Sequence, residues 1–456
     1  MRKILVVLLP VALFAVVLAS ASENNQRQSR PVIMISIDGL RPDYVFEAQR
    51  YGLKIPNLRM FVERGSYASG VHGVLPTVTY PSHTTLVTGV SPAKHGIEAN
   101  TTFDPFERNL GGWYWYAEDI KVPTLWDAAA EAGITTANVH WPVTVGAHIT
   151  YNLPQLWRTG TEDDRKLVRA LSTPGLLASL ERELGPYVDG ISETIEGDEN
   201  RARFAVRLLE QKKPGFMLAY FTALDHVQHE TGPLSPQSFA VLERIDAIVG
   251  QLLQTAKAAS SGRAVVAVVS DHGFVQTTHD VNLVTAFREA GLIQFESTQG
   301  QQEKVKSWDA EPWISGGSAA IVLKDPADAQ VLSKVKTMLD KLTSDPANGI
   351  ERVLDQREMH EMGGFSTAAF GISLKPGYKF GGNRSGALVT GTQVSGMHGY
   401  LPSLPEMRSV FFILGPGVVE GRQLGEIDMR DIAPTMARFL GISLKNAEGK
   451  ALFPIN

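Results

Sequence analysis

PVIMISIDGL, Pro31 to Leu40, carries an almost continuous apolar run of strand length, Val32 to Ile37, that stops abruptly at Asp38-Gly39. A strand with one face in water alternates apolar and polar residues, whereas a run apolar throughout is a strand covered on both faces, as in a parallel sheet. Two more runs repeat the pattern. PGFMLAYFTALDHVQH gives Phe216 to Phe221, then Asp225 and His229, and RAVVAVVSDHGF gives Ala264 to Ser270, then Asp271-His272-Gly273. A shorter strand is expected from Thr135 to Val139, and another in SVFFILGPG late in the chain.

Helical patterns separate these runs: IPNLRMFVERG, VPTLWDAAAEAG with Pro123 near its start, and SPQSFAVLERIDAIVGQLLQTAKAA, where Phe239, Leu242, Ile245, Val249 and Leu252 share one face. Strands alternating with amphipathic helices predict an α/β fold, a mostly parallel central sheet with helices on both faces. Ligands of such sheets bind beyond the carboxyl ends of the strands. Asp38, Asp225 and Asp271 are therefore expected together at one edge. A single Asp after a strand is a common turn former or helix cap. Three at one edge repel each other unless cations hold them. Imidazoles accompany them, at His229 four residues after Asp225 and at His272 beside Asp271, and His398 lies in SGMHGYLPS. With no cysteine in the chain, carboxylate and neutral imidazole are the ligands left for a metal such as zinc.

VLPTVTYPSHTTLVTG, Val74 to Gly89, sets Thr77 and Thr79 ahead of Pro81 and the apolar Leu86 and Val87, where a helix begins. One reading is a helix cap, since Thr oxygens satisfy free backbone N–H groups and Pro suits a first turn. That reading holds unless other segments of the chain give one of these hydroxyls a chemical role.

The chain of 456 residues is 43% apolar, enough for one large domain with insertions. Its formal net charge of −5 gives neither a nucleic-acid-binding surface nor a polybasic membrane arm. At the N-terminus, Arg2 and Lys3 precede an apolar run, Ile4 to Leu18, and Ala19-Ser20-Ala21 follows. This predicts a signal peptide over residues 1–21, because the run is shorter than the roughly 20 residues that span a bilayer. The mature protein, residues 22–456, is then exported, periplasmic or secreted, without a stable membrane anchor. Within it, residues 280–395 are expected to form a small α/β insertion that closes over the site.

Together, Ile37-Asp38-Gly39, Pro76-Thr77-Val78-Thr79-Tyr80-Pro81-Ser82-His83, Thr88-Gly89, His95-Gly96-Ile97, Asp225-His226-x-x-His229, Ser270-Asp271-His272-Gly273 and Met397-His398-Gly399 resemble the alkaline phosphatase superfamily. Within it the similarity is to the type I phosphodiesterase/nucleotide pyrophosphatase branch. The resemblance implies two zinc ions, one on Asp225, His229 and His398, the other on Asp38, Asp271 and His272. It implies Thr79 as nucleophile and additional ligand, Asn100 as a contact to a phosphoryl oxygen, and Tyr80 as an aromatic that stacks on a nucleobase. The implied substrate is a small phosphate ester, a diester or pyrophosphate of nucleotide type. The alternative is a phosphomonoesterase on the same scaffold. A sulfatase would need an oxidisable Cys or Ser where Thr79 stands. A binding protein derived from the fold would be expected to have lost a ligand or the nucleophile, and a membrane-bound transferase would carry several spanning helices.

Monoesterases need an added cation, for which Arg158, Arg165 and Lys166 are candidates, whereas a diester needs an apolar wall. Trp113, Trp115, Trp126, Trp141 and Trp157 follow the nucleophile segment, and at least three of them are expected in the core. His83, His95 and His226 are expected to hydrogen-bond backbone, and Asp428 and Asp431 to cap helices.

Overall fold

Val32–Ile37 forms the strand that its apolar run predicts, with all six residues buried. A computed structural model describes residues 30–109, 112–187, 192–297 and 303–453. The expected leader over residues 1–21 lies outside the described residues. Among the described residues the central sheet has eight strands: β1 (Val32–Ile37), β2 (Ser66–Tyr67), β3 (Thr136–Val139), β4 (Tyr151–Leu153), β5 (Phe216–Phe221), β6 (Val265–Val269), β7 (Phe411–Leu414) and β8 (Arg422–Gln423). Their order across the sheet is β8-β2-β7-β6-β1-β5-β3-β4. The pairs β6-β1, β1-β5, β5-β3 and β3-β4 are parallel. β7 is antiparallel to both its neighbours, so the sheet is mixed but mostly parallel.

Alternate side chains of each strand enter opposite layers. Ile33, Ile35 and Ile37 join one cluster with Met217 and Val268 of the neighbouring strands and with the helix residues Phe204, Leu208, Leu242, Ile245 and Val249. Val32 and Met34 join a second with Leu218, Ala267, Leu86, Trp126, Met436 and Leu440. Both faces are therefore dry, as the uninterrupted apolar strands require. Four helices matter for the site: α1 (Thr79–Thr88), α2 (Ile195–Lys212), α3 (Ala223–Thr231) and α4 (Pro236–Ala259).

Beyond β6 the chain leaves the central sheet. Ala310–Ser315, Ser318–Leu323, Phe370–Leu374 and Ile350–Leu354 build an antiparallel four-stranded sheet, with helix Ala329–Thr343 after its second strand. Val335 and Leu339 of that helix share a separate core with Ile321 and Ile372. The strand Val389–Met397, antiparallel to Val275–Val281, leads the chain back and delivers His398.

Helix Pro56–Arg64 starts after Ile55, which offers no side-chain cap. Asp246 of α4 supplies one from outside. Its Oδ1 accepts the Leu58 N–H at 2.7 Å, and its Oδ2 accepts the Asn57 N–H at 3.1 Å and the Asn57 Nδ2 at 2.9 Å. Asp246→Ala removes the acceptor of the buried Leu58 N–H and of the half-buried Asn57 N–H, while Asn57 Nδ2 keeps the residue-246 carbonyl, which should cost about 2–4 kcal/mol. Urea unfolding should show a lower midpoint at unchanged slope; a midpoint equal to that of wild type would contradict this role.

Candidate active site

Asp38 and Gly39 follow β1, and Asp271 and His272 follow β6, so parallel neighbours bring the two motifs together. Gly39 is required here: its φ is +67°, and a Cβ would lie 2.7 Å from the Phe274 ring and 2.8 Å from Gln228 Nε2. Its N–H donates to Asp271 Oδ1 at 3.1 Å. The His272 N–H donates to the same oxygen at 3.0 Å, which leaves Asp271 Oδ2 pointing inward. Asp225 stands differently from expectation. It sits in the first turn of α3, not at the strand end, and His229 comes one turn later on the same face.

Two triads of ligand atoms result, each with its atoms within 4.8 Å of one another: Asp38, Asp271 and His272, and Asp225, His272 and His398. His272 belongs to both. Its Nδ1 faces the Gly273 carbonyl at 3.2 Å, and its Nε2 lies 3.4 Å from Asp38 Oδ1 and 3.2 Å from Asp271 Oδ2. His398 turns Nδ1 to the Thr77 carbonyl at 3.3 Å and stacks on His272 with ring centroids 3.7 Å apart. His229 turns Nδ1 to the Gly396 carbonyl at 3.1 Å, and its Nε2 is 3.3 Å from Asp225 Oδ2. Each of these histidines thus has one nitrogen held by backbone and the other aimed at carboxylate. That is the arrangement by which a carbonyl fixes the tautomer of a metal-binding imidazole.

The fit to cations rests on the oxygens. Asp38 Oδ1, Asp225 Oδ1 and Asp271 Oδ2 are buried and have no hydrogen-bond partner. Buried acceptors are otherwise nearly always paired. Burial raises the Asp38 carboxyl well above its ordinary range, and repulsion from Asp225 and Asp271 adds to this. Burial likewise lifts Asp271 to about 7. Burial also pushes Asp225 upward, but its attraction to His229, with further help from His398, prevails and holds it below the usual carboxylate range. Burial lowers His272 well below its ordinary value and His398 to about 4, which keeps both as the neutral ligating form.

Thr79 is the first residue of α1, and its side chain is not the helix cap: Val78 holds that position, and no side chain caps the helix. Thr79 Oγ1 lies 3.4 Å from His272 Nε2, at the junction of the triads. Thr77 is spent structurally, donating to the Tyr400 carbonyl at 2.7 Å. Asn100 Oδ1 accepts the Tyr80 N–H at 2.9 Å, so the group it can offer a ligand is its amide NH₂.

Tyr80 departs from the stacking role expected of it. Its ring is 0% exposed, 5.2 Å from Trp113 and 6.1 Å from Trp115, and its hydroxyl donates to Gln155 Oε1 at 2.9 Å. Burial satisfies both its ring and its hydroxyl, and no ring face is left for a base. Trp115, Trp126 and Trp141 are buried as expected, while Trp113 and Trp157 keep partial exposure, 5.1 Å apart. Arg158 donates to Asn109 Oδ1, Arg165 pairs with Glu162, and Lys166 pairs with Asp163. His83 bonds the Thr79 carbonyl at 2.8 Å, and His95 Nδ1 accepts the Ile97 N–H at 3.1 Å. His226 differs, lying between the carboxylates of Glu193 and Glu230 at 3.4 and 3.5 Å. Asp428 caps the short helix after it, whereas Asp431 makes no cap bond and accepts the Lys450 N–H instead.

Sequence reasoning missed Tyr220, whose hydroxyl donates to Asp38 Oδ2. Its alternation along β5 marks only a core position. With Oδ2 occupied, Asp38 has one oxygen to give to a cation.

Residues 32–401 match the type I phosphodiesterase/nucleotide pyrophosphatase family. An uncharacterized pyrophosphatase/phosphodiesterase of Schizosaccharomyces pombe is 27% identical over 279 residues, 58% of this chain and 49% of that protein. Ectonucleotide pyrophosphatase/phosphodiesterase family member 3 of Rattus norvegicus is 25% identical over 291 residues, 61% of this chain and 28% of that protein. The alignments thus span about half of the yeast relative and about a quarter of the rat one. The bis(5'-adenosyl)-triphosphatase of Bos taurus is 24% identical over 442 residues, 95% of this chain and 83% of that protein. Human ectonucleotide pyrophosphatase/phosphodiesterase 5 has a similar fold, with a TM-score of 0.66 at 20% identity over 92% of this chain and 97% of that one. With the family match running from β1 past His398, the chain belongs to the type I phosphodiesterase/nucleotide pyrophosphatase family, a branch of the alkaline phosphatase superfamily.

Proposed function

We propose that this protein is an exported hydrolase that uses two zinc ions to cleave phosphodiesters or pyrophosphates of nucleotide type through a phosphothreonine at Thr79. The observation that carries the reading is the set of three buried, unpartnered carboxylate oxygens converging with imidazole nitrogens beside Thr79. Asp38, Asp271 and His272 would hold one ion and Asp225, His229 and His398 the other, with Thr79 completing the first set. Bound zinc would supply positive charge that favours the Thr79 alkoxide and neutralises phosphoryl oxygens.

The chain's own residues do the rest. Thr79 Oγ1 attacks phosphorus, the bond to the leaving oxygen breaks, and that oxygen departs as an alcohol or a phosphate once protonated from solvent. Water then attacks the phosphothreonine, returning the Thr79 hydroxyl and releasing a monoester. The Thr79 N–H at the start of α1 and the Asn100 amide NH₂ offer hydrogen bonds to the phosphoryl oxygens, the Tyr80 and Ser82 N–H groups being held by Asn100 and Val78. Trp113 and Trp157 give the second ester substituent an apolar wall, with Tyr80 packed beneath Trp113. A diester is favoured because the candidate cations for a monoester's extra charge, Arg158, Arg165 and Lys166, are engaged on Asn109, Glu162 and Asp163. The name of the bovine relative, a bis(5'-adenosyl)-triphosphatase, supports a nucleotide-type substrate. Residues 22–456 act as one catalytic unit with an insertion at 280–395. The leader expected over residues 1–21 supports export, and among the described residues no helix is long and apolar enough to cross a membrane.

Thr79→Ala should abolish trapping of a phosphorylated enzyme on acid quench, and Thr79→Ser should retain part of it. Peptide mass spectrometry that places the phosphate on another residue would overturn the assignment. On matched aryl substrates, kcat/KM should favour the diester, and Trp157→Ala should raise KM for it by about five-fold with a smaller change in kcat. A clear monoester preference would select the phosphomonoesterase instead.

Zinc uptake has a definite pH sign. A cation must displace the proton that burial retains on Asp271 up to about 7. Affinity should therefore rise with pH through about 7, with net proton release in calorimetry carried out in two buffers. Affinity unchanged between about pH 5.5 and 8 would contradict the ligand role of Asp271.

A further inference from the structure

Asp198 and Arg201 form an ion pair outside the triads, and both side chains are 0% exposed. The pair is densely bonded: Arg201 Nη2 and Nε donate to Asp198 Oδ1 at 2.5 and 3.2 Å. Arg201 also donates through Nη2 to Thr222 Oγ1 at 2.9 Å and through Nη1 to the Ser192 carbonyl at 2.8 Å. Asp198 turns its remaining capacity to the start of α3. Its Oδ1 accepts the Thr222 N–H at 3.1 Å and its Oδ2 the Ala223 N–H at 2.8 Å. Thr222 is the N-cap of α3, and its own side chain makes no capping bond.

Taking two charges out of water is expensive, and an apolar pair of equal volume would often serve stability as well. An apolar pair could not hold two helix N–H groups. Asp225 follows the clamped Ala223 by two residues, and His229 projects from the next turn of the same short helix. The position of both side chains thus depends on how the first turn of α3 is held. The other triad is anchored differently: Asp38 and Asp271 follow β1 and β6, and their described hydrogen bonds go to Tyr220 and to the backbone of Gly39 and His272.

We propose that Asp198 and Arg201 are positioning residues that cap α3 from outside and set the affinity of one of the two cation sites, the one that uses Asp225 and His229. The inference rests on the two-metal reading above. Partners that orient metal ligands are worth about 10–100-fold in metal affinity. Loss of the clamp should therefore fall on one site and spare the other.

The test is zinc titration of the metal-stripped full chain against a chromophoric chelator, which resolves two dissociation constants, with urea unfolding in parallel. Asp198→Asn should weaken one constant by about ten-fold or more and the other by less than about two-fold. The affected constant should be the one that Asp225→Asn removes. Thr222→Val, which strips only the hydroxyl contact with Arg201, should move the same constant less. Asp246→Asn serves as the control, an outside cap on a different helix, Pro56–Arg64, that should lower stability and leave both constants alone. Equal weakening of both constants, or no change in either, would overturn the proposal. If Asp198→Asn does not fold, Arg201→Lys decides by the same selectivity, since it keeps the charge and loses the fork. A wild-type chain with fewer than two zinc constants would instead refute the two-metal reading.

Discussion

Mutual repulsion among Asp38, Asp225 and Asp271 is the constraint around which this molecule is arranged. Three carboxylates with buried, unpartnered oxygens at one sheet edge are unfavourable as anions in a dry interior, and the raised values of Asp38 and Asp271 express that cost. Two cations would convert the liability into binding energy. The parallel pairing of β1 and β6 sets Asp38 and Asp271 side by side beyond the strand ends, and the first turn of α3 adds Asp225.

Holding such groups in place takes support that reaches far from the site. Tyr220 occupies one oxygen of Asp38, and the backbone N–H groups of Gly39 and His272 occupy one oxygen of Asp271. Carbonyls of Gly273, Gly396 and Thr77 orient the three histidines. The helices are steadied by outside carboxylates, Asp246 for Pro56–Arg64 and Asp198 for α3. In both cases the local N-cap offers no side-chain bond, so a distant helix supplies it.

This division explains what is legible in the sequence. β1, β5 and β6 are legible because burial on both faces leaves a continuous apolar run, and Asp38, Asp271 and His272 follow directly from where those runs stop. The direction of β7 is not legible, since an apolar run carries no sign of its polarity in a sheet. Asp225 reads as a strand-end residue because its run and its carboxylate are close in sequence, although a helical turn intervenes. Tyr80 shows the opposite difficulty. An aromatic beside a nucleophile has the same residue type whether it faces solvent or core, and only Gln155 and the Trp113 and Trp115 rings, brought from later in the chain, decide for the core. Tyr220, Asp198 and Arg201 are hidden for the same reason: their partners are distant in sequence, and alone they look like strand and helix residues.

On the reading proposed above, Asp38, Asp271 and His272 hold one zinc ion and Asp225, His229 and His398 the other, around one reaction centre at Thr79. Anomalous X-ray scattering at the zinc absorption edge, from crystals of the zinc-loaded full chain, tests it most directly. Two peaks about 4 Å apart are expected, one against Asp38, Asp271 and His272, the other against Asp225, His229 and His398, with Thr79 Oγ1 beside the first. A single peak, or peaks away from these side chains, would contradict it.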